Sequence, residues 1–206
     1  TAGNGAKKAE LEGKGVLNAE ITSILYQYLE KNGIETHFIQ MLDDTRMLAK
    51  KVDIVNVEVI VRNLAAGSFS KKYGVPEGTP LKNTVLEFCL KSDELGDPMM
   101  NKSQITALGI ASQEDLNTMK DMALRVNDLL SALFDRCDII LVDFKLEFGI
   151  HEGRIILADE ISPDSCRFWD KSTGKKLDKD RFRRDLGDVL GAYREVLRRL
   201  KNVQPL

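Results

Sequence analysis

The sequence predicts an α+β fold, with antiparallel sheets flanked by helices. Two patterns carry that prediction. Segments of period-two or β-branched character come in hairpin pairs, 36–42 with 46–51 and 139–148 with 155–161, each pair joined by a short turn. Long helical stripes separate and follow them, the longest running from Ser112 to Phe134. The 206 residues suit one large domain or two small lobes sharing a core.

Taken in order, Asn18 is the expected N-cap of a first helix, with Ile21, Ile24, Leu25, Tyr28 and Leu29 on its buried face and Asn32-Gly33 as its stop. The turn at 43–45 joins the first hairpin, 52–56 reads as a short connector, and 57–62 is a β-branched strand. Gly74, Pro76, Gly78 and Pro80 punctuate a loop over 67–80 that holds one helical turn at 68–73. A strand over 85–91 and a polar loop over 92–101 follow. Ser112 then caps the long helix, whose stripe of Leu116, Met119, Ala123, Val126, Leu130, Leu133 and Phe134 reads as core. After the second hairpin, 178–186 and 189–201 read as helices, the last amphipathic.

Bulk numbers exclude several function classes. Apolar content is 43% and charged content 30%, a globular profile, and the net charge of −2 gives no pull toward nucleic acid or anionic membrane. No apolar run has the length of a membrane span, and no signal peptide opens the chain. Cys89, Cys137 and Cys166 form neither a disulfide framework nor a zinc pattern, so a reducing, cytoplasmic setting is expected. With only His37 and His151, a histidine metal cluster or Ser-His-Asp triad is not expected.

The most informative stretch is 141–149, Leu-Val-Asp-Phe-Lys-Leu-Glu-Phe-Gly. Phe144, Leu146 and Phe148 share one face; Asp143, Lys145 and Glu147 share the other. Such a row can serve as a wet face with cross-strand ion pairs, or hold a metal-bound phosphate between its charges. The turn decides which acids join it. A two-residue loop at Glu152-Gly153 would put Asp159 on the opposite face from Lys145 and Glu147; a three-residue loop over 151–153, with Gly153 left-handed, is the expected register and sets Asp159 across from Lys145 and diagonal to Glu147. Two carboxylates from adjacent strands suit Mg²⁺, which keeps waters and accepts phosphate oxygens.

Three further segments bear on chemistry. Residues 62–68, Arg-Asn-Leu-Ala-Ala-Gly-Ser, leave a strand into small residues and a hydroxyl, a pattern suited to an anion, with Arg62 adding a phosphate-matching fork. Residues 159–167 continue from the metal strand into a turn carrying Asp164 and Arg167, while Lys91, Ser92, Asp93 and Asp97 make a polar loop. The alternating charges of 178–185 read as a solvated face, and no interleaved aromatics support nucleic-acid binding.

Together, residues 57–68 (Val-Glu-Val-Ile-Val-Arg-Asn-Leu-Ala-Ala-Gly-Ser), 141–149 and 159–164 (Asp-Glu-Ile-Ser-Pro-Asp) resemble the phosphoribosylaminoimidazole-succinocarboxamide synthase (SAICAR synthetase) family; 167–170 and 178–183 agree. The resemblance implies a two-lobed fold with a nucleotide cleft between a lobe of 1–55 and a lobe of 56–206. It implies an ATP- and Mg²⁺-dependent ligase of purine biosynthesis. That ligase joins L-aspartate to the carboxylate of carboxyaminoimidazole ribonucleotide through an acyl phosphate, releasing ADP and phosphate. It implies a cytoplasmic homodimer. By position, Glu147 and Asp159 match the ATP–Mg²⁺ acids, Asp143 and Lys145 the catalytic row, and Lys50, Val52 and Ile54 the hinge whose backbone meets adenine. Arg62, Ser68 and Arg167 match the grip on the ribonucleotide, most simply its phosphate. Glu58, Lys91 and Asp97 match polar positions near the imidazole. The loop Gly3-Asn4-Gly5 is a candidate wall of the aspartate pocket. The family's opening strands and glycine-rich Gly-Lys-Ala-Lys segment have no counterpart, so an incomplete nucleotide lobe is expected. Asn56 stands where relatives carry proline, a loss of hinge rigidity. Two rivals stay open: a small-molecule kinase, and a non-catalytic nucleotide-binding scaffold.

Overall fold

The computed structural model describes residues 11–203. The chain runs α1 (Lys14–Lys31), β1 (Phe38–Met41), β2 (Met47–Ala49), β3 (Asp53–Leu64), α2 (Gly67–Tyr73), β4 (Pro80–Leu90) and β5 (Met99–Met100). It continues through α3 (Lys102–Ala107), α4 (Gln113–Arg136), β6 (Ile139–His151), β7 (Arg154–Ala158), β8 (Cys166–Asp170), α5 (Asp180–Arg183) and α6 (Val189–Val203). Strands β1 and β2 form a separate ribbon. The main sheet has the order β5-β4-β3-β6-β7, with β8 also on β6, and every pairing is antiparallel. None of the described helices is long and apolar enough to cross a membrane.

The expected α+β architecture holds, and its alternation sorts the two faces of the sheet. Val57, Val59 and Val61 of β3 and Phe144, Leu146 and Phe148 of β6 point into the core. Helix α4 lies on β3 and β6, and its whole predicted stripe is buried. Helix α6 packs on α1 beside it, burying Tyr193, Val196 and Leu200 against the same core. Helices α1, α4 and α6 therefore lie on one face of the sheet. The other face carries Glu58, Ile60 and Arg62, flanked by Asp143, Lys145 and Glu147 on one side and Glu87, Cys89 and Lys91 on the other.

Several local expectations are corrected. Helix α1 starts four residues before Asn18, and the Asn18 side chain reaches Asp164 instead of capping. The connector 52–56 is mostly the start of β3, which runs twelve residues because β6 pairs along nearly its whole length. Helix α3, in a stretch for which no element was expected, starts at a capping box in which the Asn101 side chain accepts from Gln104 N and Gln104 Oε1 accepts from Asn101 N. Strand β8 was also unanticipated, and the helix expected over 178–186 narrows to Asp180–Arg183.

The main correction is register. His151 pairs with Arg154, so the loop has two residues, Glu152 and Gly153, with φ of 49° and 76°. Positive φ at both central positions is the type I′ turn whose twist matches the strands it joins. Glu147 therefore faces Ala158, and the expected pairing of Asp159 with Lys145 does not occur. Strand β7 stops at Ala158, where Asp159 takes a left-handed φ of 62° and turns the chain off the sheet. On the same edge of β6, β8 takes over from Phe144 back to Ile139. The loop between the two strands, 159–165, thus emerges beside Lys145, whose N–H donates to the Ser165 carbonyl at 2.9 Å.

Candidate active site

The charged face of the sheet lines a cleft of about 1020 Å³, walled by α2, the 92–98 loop and the 164–167 segment. It is not a wet strand face: Asp143 and Glu147 are each 4% exposed. The reason lies in the cross-strand pattern. Glu58 stands directly opposite Glu147, and Arg62 opposite Asp143. Like charges opposite one another repel, so cations must bridge the first pair.

At the Asp143 end the cations are arginines held on several sides. Arg62 donates from Nε to Glu87 at 2.9 Å, from Nη1 to Asp143 at 3.2 Å and from Nη2 to the Ser68 hydroxyl at 3.1 Å. Arg167 donates to both Asp143 oxygens at 3.2 and 3.0 Å and from Nε to Asp180 at 2.9 Å. Burial opposes the Arg167 charge, but Asp143 and Asp180 outweigh it and raise its pKa. The guanidinium rests on Gly67, where a Cβ would come within 2.3 Å of Nη2 at a φ of 54°, so this turn requires glycine twice over.

At the Glu147 end the cations are lysines. Lys91 meets Glu147 at 2.5 Å, and Lys145 bridges Glu58 at 2.8 Å and Glu147 at 3.5 Å. Burial works against both lysines, yet their bonds to these glutamates raise their pKa values. Burial raises the Glu58 carboxyl pKa against the pull of Lys145. Asp159 is not opposite Lys145 in the sheet, but its left-handed turn keeps it within the field of this group. Burial, and then Glu147, raise its pKa, while Lys145 and Lys91 pull the other way.

The predicted residues thus divide. Asp143, Lys145, Glu147, Arg62, Ser68, Arg167, Glu58, Lys91 and Asp97 all line the cleft. Asp97 shapes its loop, accepting the Ser92 N–H at 2.8 Å with a left-handed φ of 49°. Lys50, Val52 and Ile54 lie outside the cleft lining, at the entry to β3. There Val52 fills the space over Gly149 that a Cβ would occupy, its Cγ2 2.6 Å from that point. The Gly3-Asn4-Gly5 loop lies outside the described residues. The charged run 178–185 is only partly solvated: Asp178 and Asp180 are buried, and Lys179 and Arg183 line the cleft. Asp164 draws three donors, Tyr193 Oη at 2.6 Å, Lys14 Nζ at 2.7 Å and Asn18 Nδ2 at 3.1 Å. Only the acid–base alternation of 178–183 hinted at the Asp180–Arg167 clamp; the Lys14, Asn18 and Tyr193 contacts, from distant segments, carried no local signal.

The SAICAR synthetase family model matches residues 1–200. The phosphoribosylaminoimidazole-succinocarboxamide synthase of Caldanaerobacter subterraneus is 57% identical over 203 residues, 98% of this chain and 86% of that protein. The crystal structure of the enzyme of that name from Ehrlichia chaffeensis superposes with a TM-score of 0.96 at 47% identity, covering 98% of this chain and 86% of that one. A type-2 SAICAR synthetase in complex with ADP matches equally well, at 0.96 and 47%, covering 98% and 87%. Fold, cleft and kinship define an enzyme of the ligase class. The chain belongs to the SAICAR synthetase family of purine biosynthesis.

Proposed function

We propose that the chain joins L-aspartate to the carboxylate of carboxyaminoimidazole ribonucleotide, using ATP and releasing ADP and phosphate by way of an acyl phosphate. The observation that carries this reading is the Asp143–Lys145–Glu147 row sunk in one cleft with Arg62, Ser68 and Arg167 at one end. The family relationship supports it, and the ADP bound by the type-2 relative supports ATP as the nucleotide.

A carboxylate is a poor electrophile until phosphorylation gives it a leaving group, and the transferring phosphoryl needs its charge offset. In this reading Arg62, Ser68 and Arg167 grip the ribonucleotide's phosphate by forked, charge-assisted hydrogen bonds. The row then runs about 13 Å along β6 at the rise of a strand, carrying the imidazole end toward Lys145. Glu58, Lys91 and Asp97 surround that end. Lys145 offsets charge on the reacting carboxylate, and Asp143 fixes both arginines. Among the described residues no three His, Cys, Asp or Glu side chains converge on one metal point. Glu147 and Asp159 nevertheless fit Mg²⁺: both are hard oxygen donors, they act on one another electrostatically, and this ion takes its remaining positions from water and phosphate. When bound, Mg²⁺ supplies charge neutralisation at the phosphates. Lys50, Val52 and Ile54 serve as the adenine hinge, between a lobe of 1–55 and a lobe of 56–206. A cytoplasmic homodimer completes the proposal.

Coupled ADP release with the imidazole ribonucleotide and aspartate tests this. Glu147→Gln is expected to lose at least about 10²-fold; normal activity in that variant would remove Glu147 from the site. The kinase reading predicts ADP release with phosphorylation of an alcohol and no need for aspartate. The scaffold reading predicts none.

A further inference from the structure

Asp178 is a fully buried acid, absent from the cleft lining, that the scheme above leaves without a task. Both of its carboxylate oxygens are spent on backbone. Oδ2 accepts the Phe168 N–H at 2.8 Å, and Oδ1 accepts the Asp180 N–H at 2.7 Å. The main chain beside it adds a third tie, the Leu177 N–H donating to the Phe168 carbonyl at 2.8 Å.

These bonds hold the frame around Arg167. Phe168 follows Arg167 on β8, where Arg167 pairs with Asp143 and Phe168 with Leu141 across an irregularity that skips Val142. Asp180 opens α5, and its side chain accepts from Arg167 Nε at 2.9 Å. A closed circuit results: Arg167 Nε to the Asp180 carboxylate, the Asp180 N–H to Asp178, and Asp178 to the N–H of the residue after Arg167. Helix α5 has only four residues, too few to hold its own conformation, so its place depends on such ties. With Nε fixed by Asp180, the Nη1 corner of the fork reaches both oxygens of Asp143. The circuit needs an acid at its centre. A carboxylate offers an acceptor to each N–H, whereas an amide offers one oxygen and turns a donor on the other N–H.

We propose that Asp178 is a positioning residue of the anion socket: through Phe168 and Asp180 it aims the Arg167 fork, and so sets the preference for the ribonucleotide over the same ribonucleoside without its phosphate. This rests on the reading above that Arg167 grips that phosphate.

Calorimetric titration of carboxyaminoimidazole ribonucleotide and of its dephosphorylated ribonucleoside tests this in wild type, Asp178→Asn and Asp178→Glu. Burial and the nearby Asp180 push the Asp178 pKa up to about 7, so binding is measured at pH 8, where the acid is ionised. Asp178→Asn is expected to bind the ribonucleotide about 10-fold more weakly, the loss of a well-aimed charge-assisted contact. Its affinity for the ribonucleoside, and its KM values for ATP and L-aspartate, should stay within about 2-fold of wild type. Asp178→Glu keeps the charge but moves the oxygens by one methylene, so it should lose the preference as well. In an Arg167→Lys background, which has no fork to aim, Asp178→Asn should cost less than about 2-fold in ribonucleotide affinity. A lowered melting temperature with the preference intact overturns the proposal and leaves Asp178 a tie of the fold alone. Equal losses for ribonucleotide and ribonucleoside overturn it, as does a full loss in the Arg167→Lys background. A wild-type preference in Asp178→Glu also overturns it, since charge and not position would then suffice. Wild-type protein that binds both compounds equally overturns the phosphate reading itself, and this proposal with it.

Discussion

The two ends of the cleft hold charge by opposite means. At the Asp143 end, Arg62 is 3% exposed and locked against Glu87, Asp143 and Ser68, so every contact is also a contact of the fold. At the Glu147 end the side chains of Lys91 and Lys145 are 41% and 37% exposed, and they meet glutamates that are themselves buried. An arginine fork fixed on several sides gives an anion a preformed socket at no further ordering cost. A lysine on a flexible stem can leave its glutamate when a ligand or metal takes that glutamate over. One end is scaffold that also binds; the other is chemistry with little structural duty.

The largest expected effect breaks the fold at the arginine end. Arg62→Met leaves Glu87 and Asp143 buried with their central cation gone, and removing one partner of a buried pair costs about 3–5 kcal/mol. Urea unfolding should show that loss. A variant as stable as wild type would mean that Arg167 alone satisfies Asp143, and that the arginine end is no more structural than the lysine end.

Next comes Lys145→Met, which should do the reverse. With a third of its side chain in solvent and Lys91 still paired with Glu147, its removal should change stability by no more than about 1 kcal/mol. Turnover should fall about 10²-fold, the usual cost of removing a group that offsets developing charge. A large stability loss with turnover intact would erase the contrast between the ends.

Much of this contrast was legible in the sequence. Period-two alternation over 141–149 puts three acids and bases on one face whatever the register, and the helical stripe from Leu116 to Phe134 requires that the opposite face be the buried one. Together they foretell a sheet with a helix-covered side and a charged side. The position of Asp159 was not legible. Alternation assumes a strand that runs on, whereas here the chain leaves the sheet at a left-handed aspartate one residue after β7 ends. The two-residue turn at Glu152-Gly153 was visible as a choice but not as the outcome, because both loop lengths accept glycine there. The capping box Asn101-x-x-Gln104 was a readable signal for α3 that the flanking polar residues obscured. Strand β8 offers no alternation, since four of its five residues are buried. Asp180 was readable only as part of a charged run; its clamp on Arg167 joins α5 to β8, a contact that sequence spacing does not encode.

The smallest effect sharpens the comparison through pH. Asp180, at the arginine end, has its pKa held below the usual 3.8 because Arg167 and Arg183 outweigh its burial. Its stabilisation is therefore fully present above that value and is lost as pH falls through the lower folded pKa. Glu58, at the lysine end, has its pKa raised above the usual 4.5 by burial, despite Lys145. For Glu58 the folded state binds its proton first, so its ionised form costs stability at neutral pH, and the cost fades as pH falls toward 4.5. Asp180→Asn should accordingly cost about 1.5–3 kcal/mol at pH 7, and the deficit should shrink only below the ordinary aspartate range. Glu58→Gln should move the other way: at pH 7 it is expected to equal or exceed wild type by up to about 1 kcal/mol, with the gain gone once acid has protonated Glu58 in the parent. Thermal unfolding of the three proteins across pH 3 to 8 separates the two limbs. Deficits of the same sign at pH 7 would show that Lys145 binds Glu58 as firmly as the arginines bind Asp180, and the lysine end would then be scaffold as well.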